Sequence, residues 1–261
     1  LDPANQQLKQ SIAQAFIRAG KLDTALAVFR DLQEVDPANL GYRSEIAGIY
    51  LRQKEYEKAS QEFAPVLSVD SVSVETKLKI GELYFQQLEQ DSTLAPAAIE
   101  VLGRIRDAHP DDWRPYWFLG GIGALTGNDS LAETNFRKVT ELAGWNADAW
   151  VYLSSVFLEK NDYAEVAKVL ESAVRVAPDD FRVNFFLGVA YTRLARTADA
   201  IRVLDRARSI SPEDVNVIIQ LALVYDGLKD YGETDRLYRE ALRLDPGNHL
   251  AQHNYSYSLA E

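Results

Sequence analysis

The feature that most constrains this chain is the spacing of its prolines. Pro3 to Pro37, Pro178 to Pro212 and Pro212 to Pro246 are each 34 residues apart, and Pro110 to Pro178 spans two such periods. Pro37 to Pro110 spans two periods plus five residues. Within one period, Ala147 to Asp180, two apolar-periodic runs are separated by Asn161-Asp162-Tyr163 and closed by Pro178. That pattern describes a helix, a tight turn and a second helix. A chain that repeats such a unit must bury each unit against the next, because one helix pair cannot cover its own apolar face.

Seven units line up: 6–39, 40–73, 74–112, 113–146, 147–180, 181–214 and 215–248, the third five residues longer than the rest, with a partial eighth from 249 to 261. Position 7 carries Ile or Leu throughout (Ile12, Ile46, Ile80, Leu119, Leu153, Leu187, Leu221). Position 8 is small in every unit, from Ala13 through Gly81 and Gly188 to Ala222. Position 11 is Phe or Tyr except at Gly123, position 20 is small or β-branched, and position 24 is large. Small residues at 8 and 20 let two helices approach, and large ones at 7, 11 and 24 fill the space around them.

On these residues the sequence resembles the tetratricopeptide-repeat family over nearly its whole length. The resemblance implies an all-α, right-handed α-solenoid of seven helix–turn–helix repeats plus one C-terminal helix, forming a single domain over 1–261. It also implies that ligand segments bind the concave groove lined by the first helix of each repeat. Leu1 to Asn5 and His249 to Glu261 read as parts of further repeats, so a fragment of a longer, bacterial-type repeat protein is expected.

Departures from the template are local. Glu89-Gln90-Asp91-Ser92-Thr93 supplies five extra residues, lengthening the turn inside the third repeat. Pro96 and Pro115 fall in helix first turns, a tolerated place, whereas Pro65 lies inside a second helix and should kink it. Gly120, Gly121 and Gly123 lie mid-helix, where a phosphate-binding loop would need a strand before it. They read instead as room for bulky neighbours such as Trp117 or Trp145.

Chemistry is sparse. There is no cysteine, so disulfides, thiolate zinc sites and thiol nucleophiles are excluded. His249 and His253 share a helix face at zinc-site spacing but lack a third ligand nearby; terminal, solvated histidines are the simpler reading. His109 has no serine partner for a hydrolase triad, and the acidic pairs at repeat boundaries (Asp111-Asp112, Asp179-Asp180, Glu213-Asp214) read as helix caps. No catalytic residue, metal site or cofactor is expected. The net charge of −11 disfavours nucleic acid or anionic membrane as the main partner. No apolar run is long enough to span a bilayer, and no compartment is assigned; composition is that of a soluble chain.

The informative surface is the stripe at positions 2, 5, 9 and 12 of each first helix. Position 5 is polar in Gln10 and Ser44, then apolar in Leu78, Trp117, Val151, Phe185 and Ile219. Phe118, Tyr152 and Phe186 follow at position 6. Apolar side chains on a stripe expected to face solvent suggest a binding surface. The alternative is burial by neighbouring helices. Repeat six is net +2 while repeats three and five are each −4, and Arg182 and Arg193 should flank Phe185. They could orient a peptide carboxylate, or pair with Asp199 and Asp205. The pattern of the chaperone-binding carboxylate clamp is absent: its positions carry Gln10, Gln14, Glu45, Glu75 and Lys79. The expected function is a non-enzymatic scaffold binding a peptide segment or partner protein through Trp117, Phe118, Val151, Tyr152, Phe185, Phe186, Ile219, Arg182 and Arg193. The alternatives are a structural spacer that self-associates, and an accessory domain of an enzyme whose catalytic part lies elsewhere.

Overall fold

The computed structural model describes residues 3–69, 72–88 and 90–259. Glu89, Leu1, Asp2, Ala260 and Glu261, used above in placing the long turn and the flanking repeats, lie outside the described residues. Fifteen α-helices follow one another, with no strand among the described residues. They are α1 (Pro3–Arg18), α2 (Leu22–Val35), α3 (Leu40–Arg52), α4 (Tyr56–Ser68), α5 (Val74–Leu88), α6 (Ala95–Ala108), α7 (Trp113–Leu125) and α8 (Asp129–Leu142). Then come α9 (Ala147–Glu159), α10 (Tyr163–Val176), α11 (Phe181–Arg193), α12 (Thr197–Ile210), α13 (Val215–Gly227), α14 (Tyr231–Leu244) and α15 (His249–Ser258). From α3 onward, each odd-numbered helix begins on the first residue of a unit read from the sequence.

The local reasons are visible at both ends of the helices. Position 34 caps the next helix: Asn39, Asp112, Asn146, Asp180, Asp214 and Asn248 each accept a backbone N–H from the first turn. Ser73 does the same for α5 through its Oγ. Capping satisfies donors that would otherwise be orphaned, at about 1 kcal/mol per cap. The boundary acids at 112, 180 and 214 are therefore caps. Between paired helices, position 15 adopts left-handed backbone at Gly20, Lys54, Gly127, Asn161, Ala195 and Lys229, with φ between 56° and 73°. Only two of these six are glycine, so four turns accept the cost of a side chain there.

The chain divides into two compact units, Leu1–Asn135 and Phe136–Glu261. In the first, Ala25, Phe29, Ile46, Ala59, Phe63, Tyr84, Ala98 and Leu102 form one buried core, together with Ile80 and Leu119. In the second, Leu153, Val166, Leu170, Leu187, Ala200, Leu204, Leu221 and Tyr238 are buried. Position 8 meets position 24. A Cβ added at Gly81 would stand 2.4 Å from Leu102 Cδ2, and one at Gly188 2.5 Å from Leu204. The exception at position 7 is Ile12, which is 43% exposed.

The third unit spends its extra residues on a 3-10 turn, Ser92–Leu94, capped by Asp91. The Asp91 carboxylate accepts from Thr93 N (3.1 Å), Thr93 Oγ1 (2.6 Å) and Tyr56 Oη (2.6 Å), with Lys54 Nζ at 3.3 Å. The insertion thus staples itself to the preceding helix pair. Pro96 lies in the first turn of α6. Pro65 sits within α4, which continues to Ser68 and ends there.

One expectation is corrected in detail. A bulky ring does approach Gly121, but it is Phe85 rather than a tryptophan, and at Gly123 the close neighbour is the backbone of Ala132. Trp145 is instead 69% exposed. At the C-terminal end, α15 buries Ala251 and sets Tyr255 against Tyr238 (5.5 Å between ring centroids), while Leu259 stays exposed.

Candidate functional site

The stripe on the first helices takes a different form in each unit. In the first unit, α5 and α7 pack together and leave a cavity of about 440 Å³ between them. Leu78, Trp113, Trp117 and Phe118 wall it, and Glu75, Lys79, Glu82 and Arg114 form its polar rim. Trp113 meets Trp117 edge-on at 6.4 Å, and Phe118 leans on Phe85 at 5.4 Å. Both Trp117 and Phe118 are half-buried, held from behind with part of each ring presented outward. Arg114 is committed to Asp112 through two nitrogens and reaches Glu75 at 3.5 Å. Burial resists ionisation of Asp112, but the Arg114 contact is the larger effect and lowers its pKa overall.

A second cavity of about 240 Å³ lies between α3 and α5. Ile49, Phe63, Ile80 and Leu83 line it, with Arg52 and Lys79 at its edge. It was missed in the sequence, where Ser44 and Gln10 made this end of the stripe read as polar. The signal that could have found it is Gly48 at position 9, where an added Cβ would meet nothing within 4 Å.

In the second unit the aromatic residues turn toward one another. Phe185 stacks on Phe181 at 5.9 Å with rings 5° apart, and Phe186 meets Phe185 at 5.4 Å. Tyr152, 46% exposed, stacks on Phe136 at 5.4 Å. Val151 is half-buried. Ile219 is fully buried on α13, which packs against α11, α12, α14 and α15, so it is core and leaves the set of surface anchors.

The two arginines have other partners than those read from the sequence. Arg182 Nη2 pairs with Asp148 at 2.5 Å and Asp180 at 3.1 Å. Asp180 is held below its ordinary range: burial opposes this, and the Arg182 and Val183 N–H contacts outweigh it. Both Arg182–Asp148 and Arg114–Glu75 join position 2 of one unit to position 2 of the next, a ladder between first helices. Arg193 lies over the Tyr163 ring at 5.9 Å. Asp199 pairs with Arg196 and Arg202 instead. Asp205 is pushed up by burial, only partly offset by Arg208.

Among the described residues, no group of three or more His, Asp or Glu comes together to hold a metal ion. No helix there is long and apolar enough to cross a membrane.

Comparison with known proteins agrees with this architecture. Models described as tetratricopeptide repeat match residues 11–64, 153–215 and 215–248, together more than half of the chain. Among curated proteins, the BBSome complex member BBS4 of Bos taurus is 24% identical over 162 residues, 62% of this chain. The chain spans about a third of that relative's length (31%). Among solved structures, the C-terminal part of a TPR repeat-containing protein from Cytophaga hutchinsonii is similar over 94% of this chain and 98% of its own, at 17% identity and a TM-score of 0.63. YrrB, described as a TPR protein with an unusual peptide-binding site, aligns over 70% of this chain and 100% of its own, at 15% identity and TM-score 0.59. MamA from Desulfovibrio magneticus RS-1 aligns over 66% and 97%, at 22% identity and TM-score 0.57. The period, the caps, the packing positions and the matched models agree, and the chain belongs to the tetratricopeptide-repeat family.

Proposed function

We propose that this chain is a non-enzymatic scaffold that binds a peptide segment or partner protein on the exposed faces of its first helices. The family builds protein-interaction scaffolds, and the observation that carries the finer reading is the cavity between α5 and α7. Its aromatic wall is supported from behind yet open in front, the arrangement of an anchor pocket. Trp117 and Phe118 hold that pocket. Tyr152, Val151, Phe185 and Phe186 offer a second apolar surface on the other unit, with Arg182 and Arg193 at its edge. That the curated relative is named as a member of a complex supports the same direction.

The test compares capture by the wild-type chain with capture by Trp117→Ala and Phe185→Ala chains, each shown by circular dichroism to be folded. Loss of a partner in either variant supports the reading. Equal capture by all three refutes it. The mutual stacking of Phe181, Phe185 and Phe186 favours a second reading for that unit, in which its aromatics are structural and the repeats act as a spacer. Sedimentation of the chain alone separates the two: concentration-dependent self-association abolished by Phe185→Ala supports the spacer reading.

A further inference from the structure

Two cavities flank α5 in the first unit, one toward α3 and one toward α7. Lys79 borders both. The smaller has an apolar floor of Ile49, Phe63 and Ile80, and the larger an apolar and aromatic wall of Leu78, Trp117 and Phe118.

Their charges differ from the rest of the molecule. The chain is net −11, and most of its arginines are bound to carboxylates. Arg52 and Lys79, both exposed, have no carboxylate within 4 Å among the described residues. Glu45, the acid in the wall of the smaller cavity, accepts from the Gln14 amide at 3.4 Å. The larger cavity has a mixed rim: Glu75 and Glu82 stand beside its aromatic wall with Lys79 and with Arg114, whose charge is already taken up by Asp112 and Glu75. An occupant that complements both cavities carries its negative charge on the α3 side of α5, where Arg52 and Lys79 border the same cavity.

Spacing sets a second condition. Packed helices lie about 8–10 Å apart, so cavities on opposite sides of α5 are separated by about one helix width. A segment in the extended polyproline-II conformation covers that distance in three residues at about 3.1 Å each, and its three-residue turn brings every third side chain back to the same face.

We propose that this face takes an extended segment of a partner protein with two apolar side chains three residues apart and an acidic residue beside the first. The apolar pair fills the two cavities, and the carboxylate lies between Arg52 and Lys79. This rests on the groove reading above and adds the chemistry of the occupant.

The experiment is selection of a random twelve-residue peptide library, displayed on phage, against the whole chain. Enriched peptides are then synthesised with a fluorescent label and titrated by anisotropy. Three variants are titrated in parallel. Gly48→Phe fills the smaller cavity from a position where a Cβ meets open space, and its melting temperature should not fall below wild type. Arg52→Glu/Lys79→Glu reverses two exposed charges. Phe185→Ala alters only the other unit.

The expected consensus is two apolar residues three apart with an acid beside one of them. Affinity should fall at least about tenfold in Gly48→Phe and about tenfold on charge reversal. The charge-reversed chain should in turn prefer the same peptide with lysine in place of its acid. A neutral or basic consensus overturns the proposal. So does binding that survives the first two variants and fails in Phe185→Ala, an outcome that leaves the groove reading standing. No enrichment at all overturns both. A dimer seen by sedimentation and lost in Gly48→Phe would assign the face to a second copy of this chain and overturn the partner segment.

Discussion

Gly123→Ala and Gly48→Ala are the same chemical change in two first helices, and the structure gives them opposite signs. Each gains about 1 kcal/mol of helix propensity, because glycine loses more backbone freedom on folding than alanine. At Gly48 nothing lies within 4 Å of the new Cβ, so the gain stands alone. At Gly123 the Cβ would fall 2.4 Å from Ala132 N and 2.8 Å from Ala132 Cα. The obstacle is backbone, which cannot rotate aside, so α7 and α8 must separate along their contact. Overpacking of this kind costs about 1–3 kcal/mol, which leaves Gly123→Ala destabilised by up to about 2 kcal/mol after the propensity gain. Gly188→Ala falls between them, since the atoms it meets belong to the Leu204 side chain. Urea unfolding followed by helical circular dichroism should rank the midpoints Gly48→Ala, wild type, Gly188→Ala and Gly123→Ala, from highest to lowest. A Gly123→Ala midpoint at or above wild type would refute close helix approach as the reason for that glycine.

Ala195 holds left-handed backbone in a turn that uses glycine at Gly20 and Gly127. Ala195→Gly should raise the unfolding free energy by up to about 1 kcal/mol, read as a higher urea midpoint, since relieved strain exceeds the added freedom of the unfolded chain. Asp91 is held well below the usual carboxylate range, mainly by the Thr93 hydroxyl and next by Tyr56, while burial pushes the Tyr56 hydroxyl up to about 12. The lowered carboxyl contributes stability above about pH 4 that is lost as pH falls through its folded value, and the raised phenol contributes below about pH 10 and loses it as pH rises toward 12. The melting-temperature gap between wild type and Asp91→Asn should therefore be widest near neutral pH and narrow at both extremes. Ile219→Ala should cost about 2–5 kcal/mol as a core truncation, whereas half-buried Phe185→Ala should cost less than the 3–5 kcal/mol usual for a core phenylalanine; comparable losses in thermal unfolding would place Phe185 in the core.

Much of the fold is written locally in the sequence. The 34-residue period fixes where helices start, because the residue that ends one unit is the Asn, Asp or Ser that caps the next. The small residues at 20 and large ones at 24 are buried in every unit, since each faces the partner helix only a turn away in sequence. The left-handed position 15 was less legible: Lys54, Ala195 and Lys229 occupy it without the glycine that would have announced it. The candidate site was legible in part. Trp117 and Phe118 fall on the open wall expected of them, but Ile219 occupies the same template position as Trp117 and is buried by its neighbours. Arg182 finds its partner 34 residues away, across a unit boundary that pairwise reading of nearby acids does not reach. The α3–α5 cavity comes from what is missing at Gly48, and an empty volume has no letter in the sequence.

The central claim is that partners bind the first-helix faces. Site-specific photo-crosslinking tests it directly, with a photoreactive phenylalanine placed at Trp117 and at Tyr152, and at exposed Lys168 on the second helix α10 as the reference. The account predicts crosslinks to a common partner from positions 117 or 152 and none from 168. Crosslinks from 168 alone, or equally from all three, would contradict it.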